Sequence, residues 1–137
     1  MEDSKILDLI YDLKKKCSLN DEVFFKSLKI TQAEYSMFIC LRNCKHFNSY
    51  SVAENMQLSL SRVSRIIDKM VNKGFLNRTT NKLDRRAIDI KMTAKGKETL
   101  LKIIHYRDGR EDMLTEQLED HEVSEIKTNF SKLINLL

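Results

Sequence analysis

Residues that break helices are scarce in this 137-residue sequence, which has no proline and only three glycines. Linkers and low-complexity tracts are built mainly from proline, glycine and serine, so this scarcity excludes a flexible linker and favours long helices. No apolar run approaches the roughly 18 residues that a membrane-spanning helix needs, and the acidic amino end does not fit a signal peptide. We therefore predict one domain over residues 1–137 that is cytoplasmic and has no membrane contact.

Cysteine is scarce as well, with three residues, Cys17, Cys40 and Cys44. An odd number with this spacing matches neither a disulfide framework nor a Cys-x-x-Cys metal motif, so we predict reduced thiols. Three lysines precede Cys17 and would favour its thiolate, which makes Cys17 a candidate redox site. The alternative is an ordinary surface cysteine. Cys40 and Cys44 lie one helical turn apart in an apolar segment, where cysteine packs as a small hydrophobe.

Motifs for catalysis or cofactor binding are missing from the sequence. It has no glycine-rich phosphate loop, no nucleophile elbow, and no carboxylates paired with histidine at catalytic spacing. His46, His105 and His121 are scattered, without acidic or cysteine partners at the spacing of a zinc site. We predict a protein that is not an enzyme and that has no metal site and no cofactor.

Positive charge, in contrast, is abundant and concentrated between Leu58 and Lys97. This stretch has eleven Lys or Arg residues and three carboxylates, a net charge of +8, so the remainder carries −4 against a total of +4. A surface of one sign attracts a polyanion, because bound phosphates release their condensed counterions. The alternative is a solvated basic face without a partner. The cations are Arg62, Arg65, Lys69, Lys73, Arg78, Lys82, Arg85, Arg86, Lys91, Lys95 and Lys97.

The spacing of apolar residues predicts a mainly α fold with one small β-hairpin. The predicted helices cover residues 3–16, residues 31–46 behind a capping box at Thr31, residues 52–56, a segment from the Ser59 cap to Gly74, a long helix behind the Thr93 cap, and residues 123–137. The long helix is predicted to kink near residues 108–110, where helix propensity drops. Residues 75–80 and 87–92 are predicted strands, joined by a turn over residues 81–86.

Two short helices followed by a capped, basic helix predict a helix-turn-helix, whose second helix enters the major groove of DNA. Arg62 and Arg65 are the predicted base contacts, since arginine can bind guanine through two hydrogen bonds. Ser59 either caps the helix or also binds a phosphate at its amino end. For the two arginines, the alternative is surface solubility. The predicted contacts are Ser59, Ser61, Arg62, Ser64, Arg65 and Lys69.

The hairpin predicts a wing beside that helix. Arg85 or Arg86 fits a narrow, electronegative minor groove. Asp84 either forms the turn or pairs with an arginine and fixes its direction. The predicted wing contacts are Arg78, Lys82, Asp84, Arg85 and Arg86.

Residues 30–101 resemble the MarR family of winged helix-turn-helix regulators. The resemblance is carried by Ile30-Thr31-Gln32, by Leu58-Ser59 leading into residues 62–70, by residues 73–78, by the wing motif Asp84-Arg85-Arg86-Ala87, and by residues 92–96. Gln57 stands where the family often has glycine, and Asn77 where an acidic residue is common. The resemblance implies a DNA-binding lobe over residues 30–97 and dimerisation helices over residues 1–29 and 98–137.

The same resemblance implies a homodimer with intertwined terminal helices, and a small ligand or oxidant that changes the wing spacing. Wide apolar stripes on the terminal helices also predict a dimer, because so small a domain cannot cover them alone. The implied ligand pocket lies between the dimerisation helices and the DNA-binding lobe. Its candidate lining residues are Tyr11, Phe38 and Tyr106, whose alternative role is core packing.

The leading hypothesis is therefore a regulator that binds double-stranded DNA, a repressor on a pseudo-palindromic operator that a small ligand releases. One alternative is a winged-helix adaptor that binds proteins and not specific DNA. Another is a regulator that senses oxidants through Cys17.

Overall fold

The computed structural model describes residues 3–43 and 47–137. Contacts divide the chain into two compact units, Met1–Leu100 and Leu101–Leu137, with the boundary inside the fifth helix. Within the described residues, no helix has the length and hydropathy required to cross a membrane. The elements are α1 (Ile6–Leu28), α2 (Gln32–Leu41), β1 (Phe47–Asn48), α3 (Ser49–Met56), α4 (Leu60–Asn72), β2 (Leu76–Thr80), β3 (Ile88–Met92), α5 (Ala94–Thr115) and α6 (Asp120–Leu136).

Helix α1 is longer than the sequence pattern predicts. The predicted end at residue 16 is wrong, because the helix continues to Leu28 and stops at Lys29 in the left-handed conformation. No proline or glycine lies between these positions, so nothing forces the helix to end where its apolar period weakens. The last turns are held to α2 through the rings of Phe25 and Tyr35, whose centroids are 4.7 Å apart.

Helix α2 begins with the predicted capping box. The Thr31 hydroxyl accepts a hydrogen bond from the Glu34 amide, and the Glu34 carboxylate accepts one from the Thr31 amide, both at 3.2 Å. The helix ends at Leu41, before the predicted end near His46. His46 and Cys44 lie outside the described residues, and Cys40 is half-buried.

Helix α3 starts earlier than predicted, at Ser49, because the Asn48 side chain caps it by accepting a hydrogen bond from the Ser51 amide at 2.8 Å. It ends at Met56, and the next residue, Gln57, has a φ of 54° in the left-handed region. This conformation explains why glycine is common at this position in the family that the sequence resembles, since a side chain is strained in it.

The strands form a three-stranded antiparallel sheet in the order β1-β3-β2. Strands β2 and β3 are the predicted hairpin, each beginning one residue later than predicted, with Arg78 opposite Ile90. Strand β1 was not predicted from the sequence. It pairs Phe47 with Ile90 and Asn48 with Asp89. A strand of two residues is too short to show an alternating pattern in the sequence.

The core of the first unit lies beneath this sheet, between the sheet and α2, α3 and α4. The rings of Phe38 and Phe75 meet edge to face at 5.2 Å, an arrangement that aromatic quadrupoles favour. The other large side chains that are almost fully buried include Met37, Val52, Val63, Ile67, Met70 and Leu76.

The join between the hairpin and α5 depends on Thr93 and Gly96. The Thr93 hydroxyl accepts a hydrogen bond from the Gly96 amide at 3.0 Å, as the predicted cap requires, and donates to the Gly74 carbonyl at 2.5 Å, with the Phe75 carbonyl at 3.1 Å. A Cβ atom on Gly96 would lie 2.2 Å from the Phe75 carbonyl oxygen. Only glycine therefore permits this close approach.

In the second unit, α5 runs unbroken through residues 108–110, where a kink was predicted. Gly109 is exposed there and lowers helix propensity without ending the helix. Helix α6 has no buried residue. Its apolar side chains Ile126, Phe130 and Ile134 are exposed at helical spacing.

Candidate nucleic-acid interface

Helix α4 has one buried apolar face and one exposed basic face. Its apolar residues recur every three or four positions, so they face the core, where α4 packs on α2, α3 and β2. The buried residues are Val63, Ile66, Ile67 and Met70. Of the predicted DNA contacts, Ser59, Ser61, Arg62, Arg65 and Lys69 are exposed and Ser64 is half-buried.

Ser59 holds the first turn of α4. Its hydroxyl accepts a hydrogen bond from the Arg62 amide at 3.2 Å and lies 3.4 Å from the Ser61 hydroxyl. Ser59 is therefore the N-cap, and phosphate binding at this end stays a prediction. The cap orients the turn that carries Ser61 and Arg62, the residues that a groove would meet first.

Arg78, one of the predicted wing contacts, forms an ion pair with Asp68 on α4. Both side chains are about half exposed, so the pair contributes little to global stability. Its effect is to join strand β2 to α4 and to hold one of the predicted DNA-binding cations within the lobe. Sequence spacing does not predict this pairing, because the two residues meet only when β2 packs against α4.

The wing turn is organised by Asn81, a residue that the sequence reasoning missed. Its side-chain oxygen accepts hydrogen bonds from the Leu83 amide at 2.8 Å and the Asp84 amide at 3.1 Å. Its side-chain nitrogen donates to the Asp89 carboxylate at 3.1 Å. Asparagine favours such turns, and this signal was present in the sequence.

Asp84 closes the same turn. Its carboxylate accepts a hydrogen bond from the Arg86 amide at 2.9 Å, and its carbonyl accepts one from the Ala87 amide at 3.0 Å. The Arg86 guanidinium lies 4.0 Å from the carboxylate, a weak exposed pair. Of the two predicted roles for Asp84, the structure supports turn formation more strongly than fixing of the arginine.

The turn presents its cations to solvent. Lys82, Arg85 and Arg86 are all exposed, and 87% of the Arg86 side chain is accessible. Leu83 stands among them with 99% of its surface exposed. A cationic tip on a hydrogen-bonded turn is suited to contact a polyanion, because the backbone of the turn loses little conformational freedom on binding.

Two buried polar contacts fix the lobe behind this surface. The hydroxyl of Ser49, which is fully buried, accepts a hydrogen bond from the Ile88 amide at 2.9 Å and ties α3 to the wing. Glu34, 1% exposed, pairs with Lys73 at 2.7 Å, which ties α2 to the end of α4. Lys73 is thus held within the fold, although it belongs to the basic stretch.

The residues predicted to line a ligand pocket do not share one environment. Tyr11 is exposed on α1 and Phe38 is fully buried in the core of the first unit. Tyr106, in the second unit, is half-buried with the Arg110 guanidinium 5.8 Å from its ring. A cavity of about 400 Å³ lies elsewhere, between α2 and α3, lined by residues including Ile39, Cys40 and Met56.

The two other candidate sites are a redox site at Cys17 and a metal site. Cys17 is exposed on α1. Within residues 3–43 and 47–137, no three His, Cys, Asp or Glu side chains are close enough to hold a metal ion. The basic faces of α4 and the wing are therefore the strongest candidate site.

The match to a known protein family lies in the same part of the chain as this candidate interface. The family model described as "MarR family" matches residues 30–88. The HTH-type transcriptional regulator BilQ of Clostridioides difficile is 23% identical over 121 residues, which are 88% of this chain and 82% of that protein.

Two solved structures have the same fold. The Staphylococcus aureus MepR–DNA complex superposes with a TM-score of 0.86 at 18% identity, covering 97% of this chain and 98% of that one. Streptococcus pneumoniae FabT in complex with DNA gives a TM-score of 0.86 at 14% identity, covering 96% and 94%.

The capped helix α4 after the α3 turn, with a hairpin packed beside it, defines a winged helix-turn-helix protein. The family model matches residues 30–88, which contain α2, α3, α4 and β2. Residues 30–88 are similar to the MarR family, and over most of its length the chain is similar to an HTH-type transcriptional regulator and to solved structures with the same fold.

Proposed function

We propose that this protein recognises a specific double-stranded DNA sequence, with α4 in the major groove and the wing in an adjacent minor groove. The observation that carries the proposal is the packing of β2 against α4, across which Arg78 and Asp68 form an ion pair. Because α4 and the wing are held together, one duplex can meet both. Arg62 and Arg65 would contact base edges, and Arg85 or Arg86 the minor groove.

The proposal includes a homodimer on a pseudo-palindromic operator. Each unit of the chain exposes apolar side chains at helical spacing, such as Leu9 and Leu13 on α1 and Phe130 and Ile134 on α6. Burial of such stripes against a second copy would remove them from water. Two recognition helices related by a two-fold axis would then read half-sites about 10 base pairs apart.

We further propose that the protein is a repressor that a small ligand releases. A ligand changes DNA affinity only when it binds the two conformations of the dimer unequally. The exposed position of Cys17 leaves oxidation as the alternative signal. A Cys17→Ser variant that loses a peroxide response would favour that alternative.

The test is fluorescence anisotropy with a duplex taken from the region upstream of the protein's own gene and a random duplex of equal length, at two salt concentrations. We expect a preference for the first of about a thousandfold or more. The double variant Arg62→Ala, Arg65→Ala should lose most of that preference, because each bidentate arginine–guanine contact contributes about 1–3 kcal/mol.

Lys14→Ala is the matched control, since it removes an exposed cation from α1 and should leave the preference unchanged. Equal binding of both duplexes would contradict the proposal for this site, and selection from a pool of random duplexes would then show whether another operator exists. Absence of binding to any duplex would favour the protein-binding adaptor.

A further inference from the structure

Leu83 is the most exposed large hydrophobic residue among those that the structure describes, with 99% of its surface accessible. Single exposed leucines are common on protein surfaces. This one differs in its position, because it is the only apolar residue between Asn81 and Arg86 in an otherwise polar and charged turn.

The backbone of Leu83 is fixed. Its amide donates to the Asn81 side chain at 2.8 Å, and the Asn81 amide donates to the Ala87 carbonyl at 3.2 Å across the base of the turn. Asp84 closes the other side through the Arg86 amide. A turn held in this way loses little backbone conformational entropy when the Leu83 side chain is buried.

The neighbours of Leu83 specify the chemistry of what covers it. Lys82, Arg85 and Arg86 are exposed around it, so the partner is anionic. The partner must also offer an apolar surface that is flanked by its own negative charges. The DNA minor groove has this arrangement, with phosphates at its rims and deoxyribose carbons along its walls, and apolar side chains are frequently inserted there.

We infer that Leu83 is a minor-groove contact, in which its side chain packs against deoxyribose while Lys82 and Arg86 neutralise the flanking phosphates or reach the groove floor. The inference rests on the proposed function, since it requires the duplex that α4 binds. Strand β2 packs against α4, so the hairpin tip is placed beside a duplex that α4 binds. An anionic lipid surface is the competing partner, but a single leucine supplies little anchoring there.

The experiment compares the affinities of wild type, Leu83→Ser, Leu83→Met and Lys82→Ala for the duplex that the wild type prefers, over a series of salt concentrations. Loss of an apolar contact should weaken binding of Leu83→Ser about fivefold to tenfold and leave the salt slope unchanged. Lys82→Ala should reduce that slope by about one. Leu83→Met keeps an apolar side chain and should bind within about twofold of wild type.

Unchanged affinity of Leu83→Ser, in a wild type that prefers its operator, would overturn the inference and leave the proposed function intact. A lower salt slope in Leu83→Ser would also overturn it, because the lost contact would be electrostatic. Failure of the wild type to prefer any duplex would instead overturn the proposed function. Loss of sedimentation with phosphatidylserine vesicles in Leu83→Ser, at unchanged operator affinity, would assign the tip to lipid and overturn the inference.

Discussion

Single residues in the wing divide between those that shape the turn and those that face outward from it. The side-chain oxygens of Asn81 and Asp84 accept hydrogen bonds from backbone amides of the turn. Lys82 and Arg86 are left exposed, which makes them available to a partner. The turn therefore needs its polar residues for geometry, and a substitution at Asn81 would act indirectly on every contact at the tip.

Lys82 and Arg86 should have different effects on DNA binding. Arg86→Ala should weaken binding mainly to operators with a narrow A·T-rich minor groove, because that groove attracts an inserted arginine. Lys82→Ala should weaken binding to all sequences and lower the salt slope by about one, because it removes a phosphate contact. Anisotropy on A·T-rich, G·C-rich and random duplexes measures both effects. Equal losses on every duplex for both variants would contradict this division of roles.

At the scale of elements, the lobe is held together by contacts between segments that are distant in sequence. Lys73 joins α4 to α2, Ser49 joins α3 to β3, and Thr93 joins α5 to the loop before β2. Each contact satisfies a polar group at or near the end of an element, where backbone donors and acceptors lack helical partners. Helix α4 is thus tied to α2 at its carboxyl end.

Gly96→Ala tests how tightly α5 packs on the hairpin. Alanine favours a helix by about 1 kcal/mol over glycine, yet its Cβ would overlap the Phe75 carbonyl. We expect a net loss of about 2 kcal/mol in the free energy of unfolding, because the backbone must shift. Gly109→Ala is the matched control in the same helix, since nothing lies within 4 Å of its added Cβ.

The control should stabilise the protein by up to about 1 kcal/mol. Thermal and urea unfolding at one fixed protein concentration measures both variants. A Gly96→Ala protein as stable as wild type would show that α5 and the hairpin are not in close contact.

At the scale of the whole molecule, the exposed apolar stripes require an explanation that a single chain does not supply. Helix α6 buries none of its residues, although its apolar side chains recur at helical spacing. Helix α1 exposes Ile6, Leu9 and Leu13 in the same manner. The proposed homodimer accounts for both stripes, and it gives two recognition helices to one operator.

Phe130→Glu should convert the dimer to monomer, because it places a charge in the middle of the α6 stripe, where dimerisation would bury it. Sedimentation equilibrium at micromolar concentration should give twice the 16.1 kDa chain mass for wild type and about one chain mass for the variant. Lys132→Glu is the control, since it alters charge at an exposed position on the opposite face of the same helix. A wild-type chain that sediments as a monomer would contradict the proposed dimer.

Local sequence determined the features that depend on neighbouring residues. The capping residues Thr31, Ser59 and Thr93, the left-handed stop at Gly74 and the hairpin of β2 and β3 all follow from side chains within a few positions. The exposed, basic face of α4 also follows from its period. These features were sufficient to predict the winged-helix fold.

Tertiary structure decided the features that depend on distant residues. The extension of α1 to Leu28, the strand β1 and the pairing of Arg78 with Asp68 each require a partner that the sequence does not place nearby. Phe38 and Leu83 were likewise beyond local reasoning, since only packing decides that one is buried and the other exposed. Local propensity sets where elements form, whereas long-range contacts set their ends and decide which side chains remain available to bind.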